Sequence, residues 1–336
     1  MGGEKEKSLD DEQRLWAMRE HLGVRARPTD AAFESEVTAA AVRPVEPIIA
    51  RYADRTGELI IDVIAQQVGV RFEEVRSDRD IERLEQKYLV EKRELGFGRL
   101  AQELADRTVD ALLFQRLHAT GDSQDRWVAV LNMTQTQSRA YWSRPHELIH
   151  RLAEPPQRRL PFYRHRSDAR NRLERIIDIG AAELAFPRTA FGPRVQAVAG
   201  QHLTWELVQE VRAAFAPTSS LLSAGKAVLR FWPHPAFLLQ ARVRGRRGKP
   251  TVDVALRIDV EGFSASALLS GVQFFPNMRV PPSSPIAQTF ATHRNITDLE
   301  SLGRWSTTTG SCLPDRRVLT SALHMGSVIY GLVTLG

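Results

Sequence analysis

The sequence predicts an α+β protein of more than one domain. Three observations carry that expectation. The 336 residues are 43% hydrophobic and 26% charged, an ordinary globular balance in a chain long enough for several cores. Up to about residue 232, most apolar residues recur at helical spacing, with a few short strand-like runs between them. After residue 235 the pattern changes to apolar runs separated by turn residues.

The elements follow in order. Residues 8–22 read as a helix, with Leu9, Trp16 and Leu22 among charges. Residues 28–47 hold three prolines and read as a loosely ordered connector. Ile48, Ile49, Leu59, Ile60, Ile64 and Val68 give residues 45–70 helical spacing. Gly69 reads as a stop, and Val70 to Val75 alternates as a short strand. The charged stretch 76–106 reads as one helix, or a helix pair broken at Gly96. Val109–Leu117 and Trp127–Met133 flank the turn residues HATGDSQDR and read as a hairpin. A helix is then expected from Ser143 as its cap, with Pro145 in the first turn and Pro155-Pro156 as its end. A second runs from about Asp168 to Phe186, stopped by Pro187. Helices at Thr204–Phe215 and Ser220–Phe231 precede strands at Phe237–Val243, Val252–Val260 and Val328–Leu335. The link RGRRGKP reads as an exposed turn. The domain reading is an N-terminal helical extension (1–56), a core of helices on a small sheet (57–190), a helical subdomain (191–234) and an α+β C-terminal domain (235–336).

Composition narrows the function classes. Cys312 is the one cysteine, which excludes a disulfide framework within the chain. No apolar run is long enough for a membrane span, and no h-region of a signal peptide follows the polar start. A cytoplasmic, membrane-independent protein is the resulting expectation. The formal charge of +6 is uneven. Residues 144–175 carry nine arginines against four acids, and residues 176–336 carry 16 basic against 10 acidic side chains. Such a surface suits an acidic peptide, or weak or indirect contact with nucleic acid. A solvated arginine-rich face explains it as simply.

The chemistry-bearing motif is His146-Glu147-Leu148-Ile149-His150, an HExxH. Residues four apart share a helix face, so both imidazoles can reach one ion. Glu147 then stands beside the open position, where water is activated for hydrolysis. A third protein ligand is needed. Glu174 lies on the next expected helix, with Asp178 at i+4 on the same face. Glu174 suits the metal, and Asp178 suits the outer N–H of a ligating histidine. Glu154, Asp168 and Glu183 compete for the third position. Glu154 is close to the motif's own helix, and Glu183 is roughly opposite in phase to Glu174.

From Trp142 to Pro187 the chain resembles the ImmA/IrrE family of bacterial metallopeptidases. RPHELIH stands where the family has an AHELGH-like segment, and ERIIDIGAAELAFP stands where its second motif ends in Ala-Ala-Glu-Leu-Leu-Met-Pro. The register puts the family's metal-binding glutamate at Glu174 and its asparagine position at Asp178. Pro145, Ile177 and Gly180 depart from the family's alanine, alanine and phenylalanine. The layout before the motif, with QQVGVRF leading into a strand, also fits, so the likeness spans about residues 57–232. The resemblance implies a gluzincin-like, zincin-like core with zinc on His146, His150 and Glu174, and Glu147 as general base. It implies a cytoplasmic endopeptidase acting on a regulator, commonly a helix-turn-helix repressor, in a stress or mobile-element response. It also permits a GAF-like sensor at 235–336.

Tyr163, His165 and His202 are candidates to stabilise an oxyanion, with structural or surface roles the simpler reading for each. The arginines at 158, 159, 164, 166, 170 and 172 are candidates to line a substrate path. Two other classes compete: a non-catalytic sensor or DNA-binding regulator with a degenerate metal site, and a zinc hydrolase that is not a protease.

Overall fold

The computed structural model describes residues 2–105, 109–116, 126–134, 136–155, 162–165, 171–245, 254–307 and 310–335, with only the backbone of 2–10 and 162–165. The chain is α+β and divides into two compact units, Met1–Ala190 and Phe191–Gly336.

The first unit opens with helix α1 (Gly2–Leu22), which buries Leu15 and Met18. Residues 28–47, expected as a loose connector, are largely helical: α2 (Phe33–Val42), a 3-10 turn (Arg43–Val45) and the start of α3 (Glu46–Arg51). Pro44 and Pro47 sit in the first turns of their helices, where a missing N–H breaks no helical bond. Helix α2 packs against the helices of the HExxH region, so residues 1–56 are part of this unit rather than an extension from it.

Helix α4 (Gly57–Gln67) is capped by Thr56 and leads into strand β1 (Val70–Val75). The charged stretch beyond splits into α5 (Asp78–Glu85), a π turn (Gln86–Glu91), a 3-10 turn (Leu95–Arg99) and α6 (Leu100–Ala105). The break falls at Arg93, whose φ is 57°, just before Gly96. There Tyr88, Phe97 and Phe114 stack in one buried cluster. Strands β2 (Val109–Gln115) and β3 (Trp127–Asn132) pair antiparallel, while the turn residues 117–125 lie outside the described ones. Almost every residue of both is buried, in keeping with their mainly apolar runs, and Asp110 of β2 is buried with them.

Helix α7 (Gln137–Ala153) packs on β2 and β3. Strand β4 (Phe162–His165) completes a sheet of order β1-β3-β2-β4, in which β1 runs parallel to β3. Helix α8 (Arg172–Ala185) is capped by Asn171 and lies against α7 and α2. Helix α9 (Arg188–Ala197) carries the chain into the second unit.

The second unit continues with α10 (Trp205–Phe215) and α11 (Leu221–Phe231), capped by Thr204 and Ser220. Strands β5 (Ala236–Arg244) and β6 (Ala255–Phe263) follow; residues 246–253 of their link are outside the described set. Three elements the sequence reading passed over come next: α12 (Pro285–Thr292), β7 (Ile296–Ser301) and β8 (Arg317–Met325). With β9 (Val328–Leu335) they give an antiparallel sheet of order β6-β5-β9-β8-β7 under α12. Its core gathers Phe237, Phe274, Trp305 and Ile286. The buried Glu300 carboxylate accepts bonds from Ser284 Oγ, Thr320 Oγ1 and Trp305 Nε1, so each oxygen has a donor.

Candidate metal centre

The HExxH segment lies in the second half of α7, not at its start. The helix begins at Gln137, after Thr136, and Pro145 falls in its interior. Proline removes the N–H that would bond the carbonyl of residue 141, a cost of about 3 kcal/mol in an open helix. Packing outweighs it here. Ala140, Tyr141, Ser143 and Pro145 are buried, and Tyr141 donates to the carbonyl of Ala185 at 2.8 Å. That bond ties the first half of α7 to the end of α8. Ser143, expected as the cap, is a buried mid-helix residue.

Helix α7 ends at Ala153, with Glu154 extended before Pro155. His146, Glu147 and His150 are almost fully buried. His146 Nε2 and His150 Nε2 face each other at 3.1 Å. Glu174, in the first turn of α8, brings Oε2 to 3.3 Å from His146 Nε2 and 3.7 Å from His150 Nε2. All three donor atoms lie within 4.8 Å of one another. A tetrahedral ion bound at about 2.0–2.1 Å needs donors roughly 3.3–3.4 Å apart. The three separations bracket that value, and two imidazoles with one carboxylate are a donor set zinc accepts. The residues present fit a divalent metal.

Outer carboxylates hold both rings. Asp178 Oδ1 lies 3.0 Å from His146 Nδ1 and also accepts from Trp142 Nε1 at 3.4 Å. Glu154 Oε1 lies 3.0 Å from His150 Nδ1. A carboxylate on Nδ1 keeps that nitrogen protonated and leaves Nε2 to face the cluster. Glu154, considered in sequence as a rival third ligand, instead holds the far side of His150. Its i,i+4 spacing from that histidine was the available signal.

No family model matches the chain, and no curated protein matches it. Among solved structures, a Mycobacterium tuberculosis transcriptional regulator is similar at 10% identity over 88% of this chain and 82% of that one, with a TM-score of 0.37. At that score the likeness carries nothing about function.

Glu183 is partly exposed on α8. Asp168 and the arginines at 158, 159, 166 and 170 lie outside the described residues, as do the side chains of Tyr163, Arg164 and His165. His202 is exposed in the second unit. Arg172 and its neighbour Arg175 both pair with Glu34 of α2, which gives them a structural role.

The electrostatics favour a cation. Burial works against a charged His150, but the carboxylates of Glu174 and Glu154 outweigh it and raise its pKa to about 10. Burial likewise opposes a charged Glu174, yet His150 and His146 hold its carboxyl well below the usual range. A metal on His150 Nε2 must displace the proton that this field retains. Zinc uptake at pH 8 should therefore release about one proton per chain, and affinity should rise as pH approaches about 10. Calorimetry in two buffers of different ionisation enthalpy measures this. Uptake without proton release would show that His150 Nε2 is already bare.

Close approach of α7 and α8 sets the triad. A Cβ on Gly180 would lie 3.0 Å from Ile149 Cδ1, next to the ligand His150. Gly180→Val is expected to destabilise by about 1–3 kcal/mol and to weaken zinc binding about tenfold, as loss of support around a site does. Thermal melting and a zinc competition titration test it; unchanged affinity would show that α8 repacks without moving Glu174.

Proposed function

We propose that this chain is a zinc-dependent endopeptidase of the ImmA/IrrE type, hydrolysing a peptide bond in a protein regulator. One observation supports it above others: His146 and His150 of one helix meet Glu174 of another, with all donor atoms within 4.8 Å. The same two segments carry the sequence resemblance. In this reading the first unit is a zincin-like core, and residues 235–336 form a GAF-like sensor. The substrate is a helix-turn-helix repressor met in the cytoplasm. Among the described residues no helix is long and apolar enough to cross a membrane.

Bound zinc would supply Lewis acidity, polarising the scissile carbonyl and making water acidic near neutral pH. His146, His150 and Glu174 would hold it. Asp178 and Glu154 keep the two Nδ1 protons in place, so both Nε2 atoms stay directed inward. Glu147, buried beside the ligands on α7, accepts the proton of the attacking water and delivers it to the leaving amine. Its burial excludes bulk water from the proton it carries.

The test is proteolysis. Zinc-supplemented protein is incubated with proteins of its host, and new N-termini are read by mass spectrometry, with and without a chelator. Chelator-sensitive new termini in a regulator are expected. Their absence in every condition, with zinc bound, would favour a sensor or a hydrolase of small molecules.

A further inference from the structure

The two histidines are held by unlike partners. Asp178, behind His146, has 47% of its side chain exposed, so water can replace it as acceptor. Glu154, behind His150, is 2% exposed, and water cannot take its place. A buried carboxylate needs a compensating charge. That charge is Arg14, whose Nη2 lies 2.8 Å from Glu154 Oε1, the same oxygen that faces His150 Nδ1. Arg14 stands 140 residues earlier in the chain. Only the docking of α1 brings it there, and the adjacent Leu15 and Met18 are buried in the same unit.

We infer that Arg14 is a positioning residue for the metal site: from α1 it holds the Glu154 carboxylate against His150 Nδ1, so that docking of the N-terminal helix sets zinc affinity. This rests on the metal reading proposed above. Arg14 touches neither metal nor substrate and acts through Glu154. The N-terminal helix is thereby a working part of the centre, and a partner that displaced α1 would loosen the metal.

A double-mutant cycle on the full chain tests this, with zinc affinity read by chelator competition. Arg14→Met keeps an apolar stem without the charge and is expected to bind zinc about tenfold more weakly, the lower end for outer partners of a metal site. Arg14→Lys, which restores a cation, should fall within about threefold of wild type. In a Glu154→Gln background, Arg14→Met should add less than about twofold, because its route to His150 is already cut. Melting curves confirm that each variant folds, and Arg14→Gln, compared with and without Glu154→Gln, takes the place of Arg14→Met if that variant does not fold. Unchanged affinity in Arg14→Met, or an equal loss with and without Glu154→Gln, would overturn the inference. Absence of zinc from wild type would instead remove the metal reading itself, a result visible before any Arg14 variant is compared.

Discussion

Elemental analysis of the purified chain is expected to find about one zinc per molecule, and replacing His146 or Glu174 by alanine should remove it. Loss of an outer partner alone weakens metal sites by about 10–100-fold, so loss of one ligand of three should exceed about a hundredfold. The two variants test different claims. His146→Ala asks whether the HExxH helix binds metal at all. Glu174→Ala asks whether α8 supplies the third ligand, since Glu154 is engaged with His150 Nδ1 and Arg14. Glu174→Ala removes one of the carboxylates that raise the His150 pKa, so His150 becomes neutral more readily, and Glu154 remains beside it. Each should fold, and a chelator should lower the melting temperature of wild type but not of either variant. Zinc retained in Glu174→Ala would return the third position to another acid. No zinc in wild type after supplementation would end the protease reading.

Much of the fold was legible because its signals were local. The helices expected at 204–215 and 220–231 form, and the antiparallel pair β2–β3 shows in two mainly apolar runs. What failed needed tertiary information. Helix α7 runs seven residues further toward the N-terminus than expected, because buried Ala140 and Tyr141 outweigh the proline that looked like a first-turn residue. The prolines of 28–47 suggested a loosely ordered connector, but Pro44 and Pro47 occupy helix starts. Strand β7 is short and mostly exposed, so ITDLES carries little alternation to read. Helix α9, RTAFGPRVQA, contains a glycine and a proline that argue against helix.

The site divides the same way. His146, His150, Glu174 and Asp178 meet as their spacing suggested, since i,i+4 geometry on two helices is written in the sequence. In sequence Glu154 stands only as a rival third ligand, set aside as too close to the motif's helix; its place behind His150 Nδ1 is not foreseen there. Arg14 had no local signal at all: its role exists only once α1 is docked. Gly180 was noted as a departure from the family's phenylalanine, and its reason appears only against Ile149, where a side chain would force α7 and α8 apart.

Glu147→Gln should separate binding from chemistry. Glutamine matches glutamate in shape, so the buried position on α7 stays filled and the three metal-binding side chains are untouched. Zinc content should remain near that of wild type. Cleavage should fall by about 10²–10⁴-fold, because the amide cannot accept the proton of the attacking water or return it to the leaving amine. The loss should appear in kcat more than in KM, since the proton moves in the transition state rather than on binding. A variant that loses zinc as well would make Glu147 part of the support for the site and leave its chemical role to another group. A variant that keeps zinc and full activity would remove Glu147 from the reaction. Loss of cleavage with zinc retained is the outcome that a sensor with an incidental metal site cannot produce, because such a protein has no cleavage to lose.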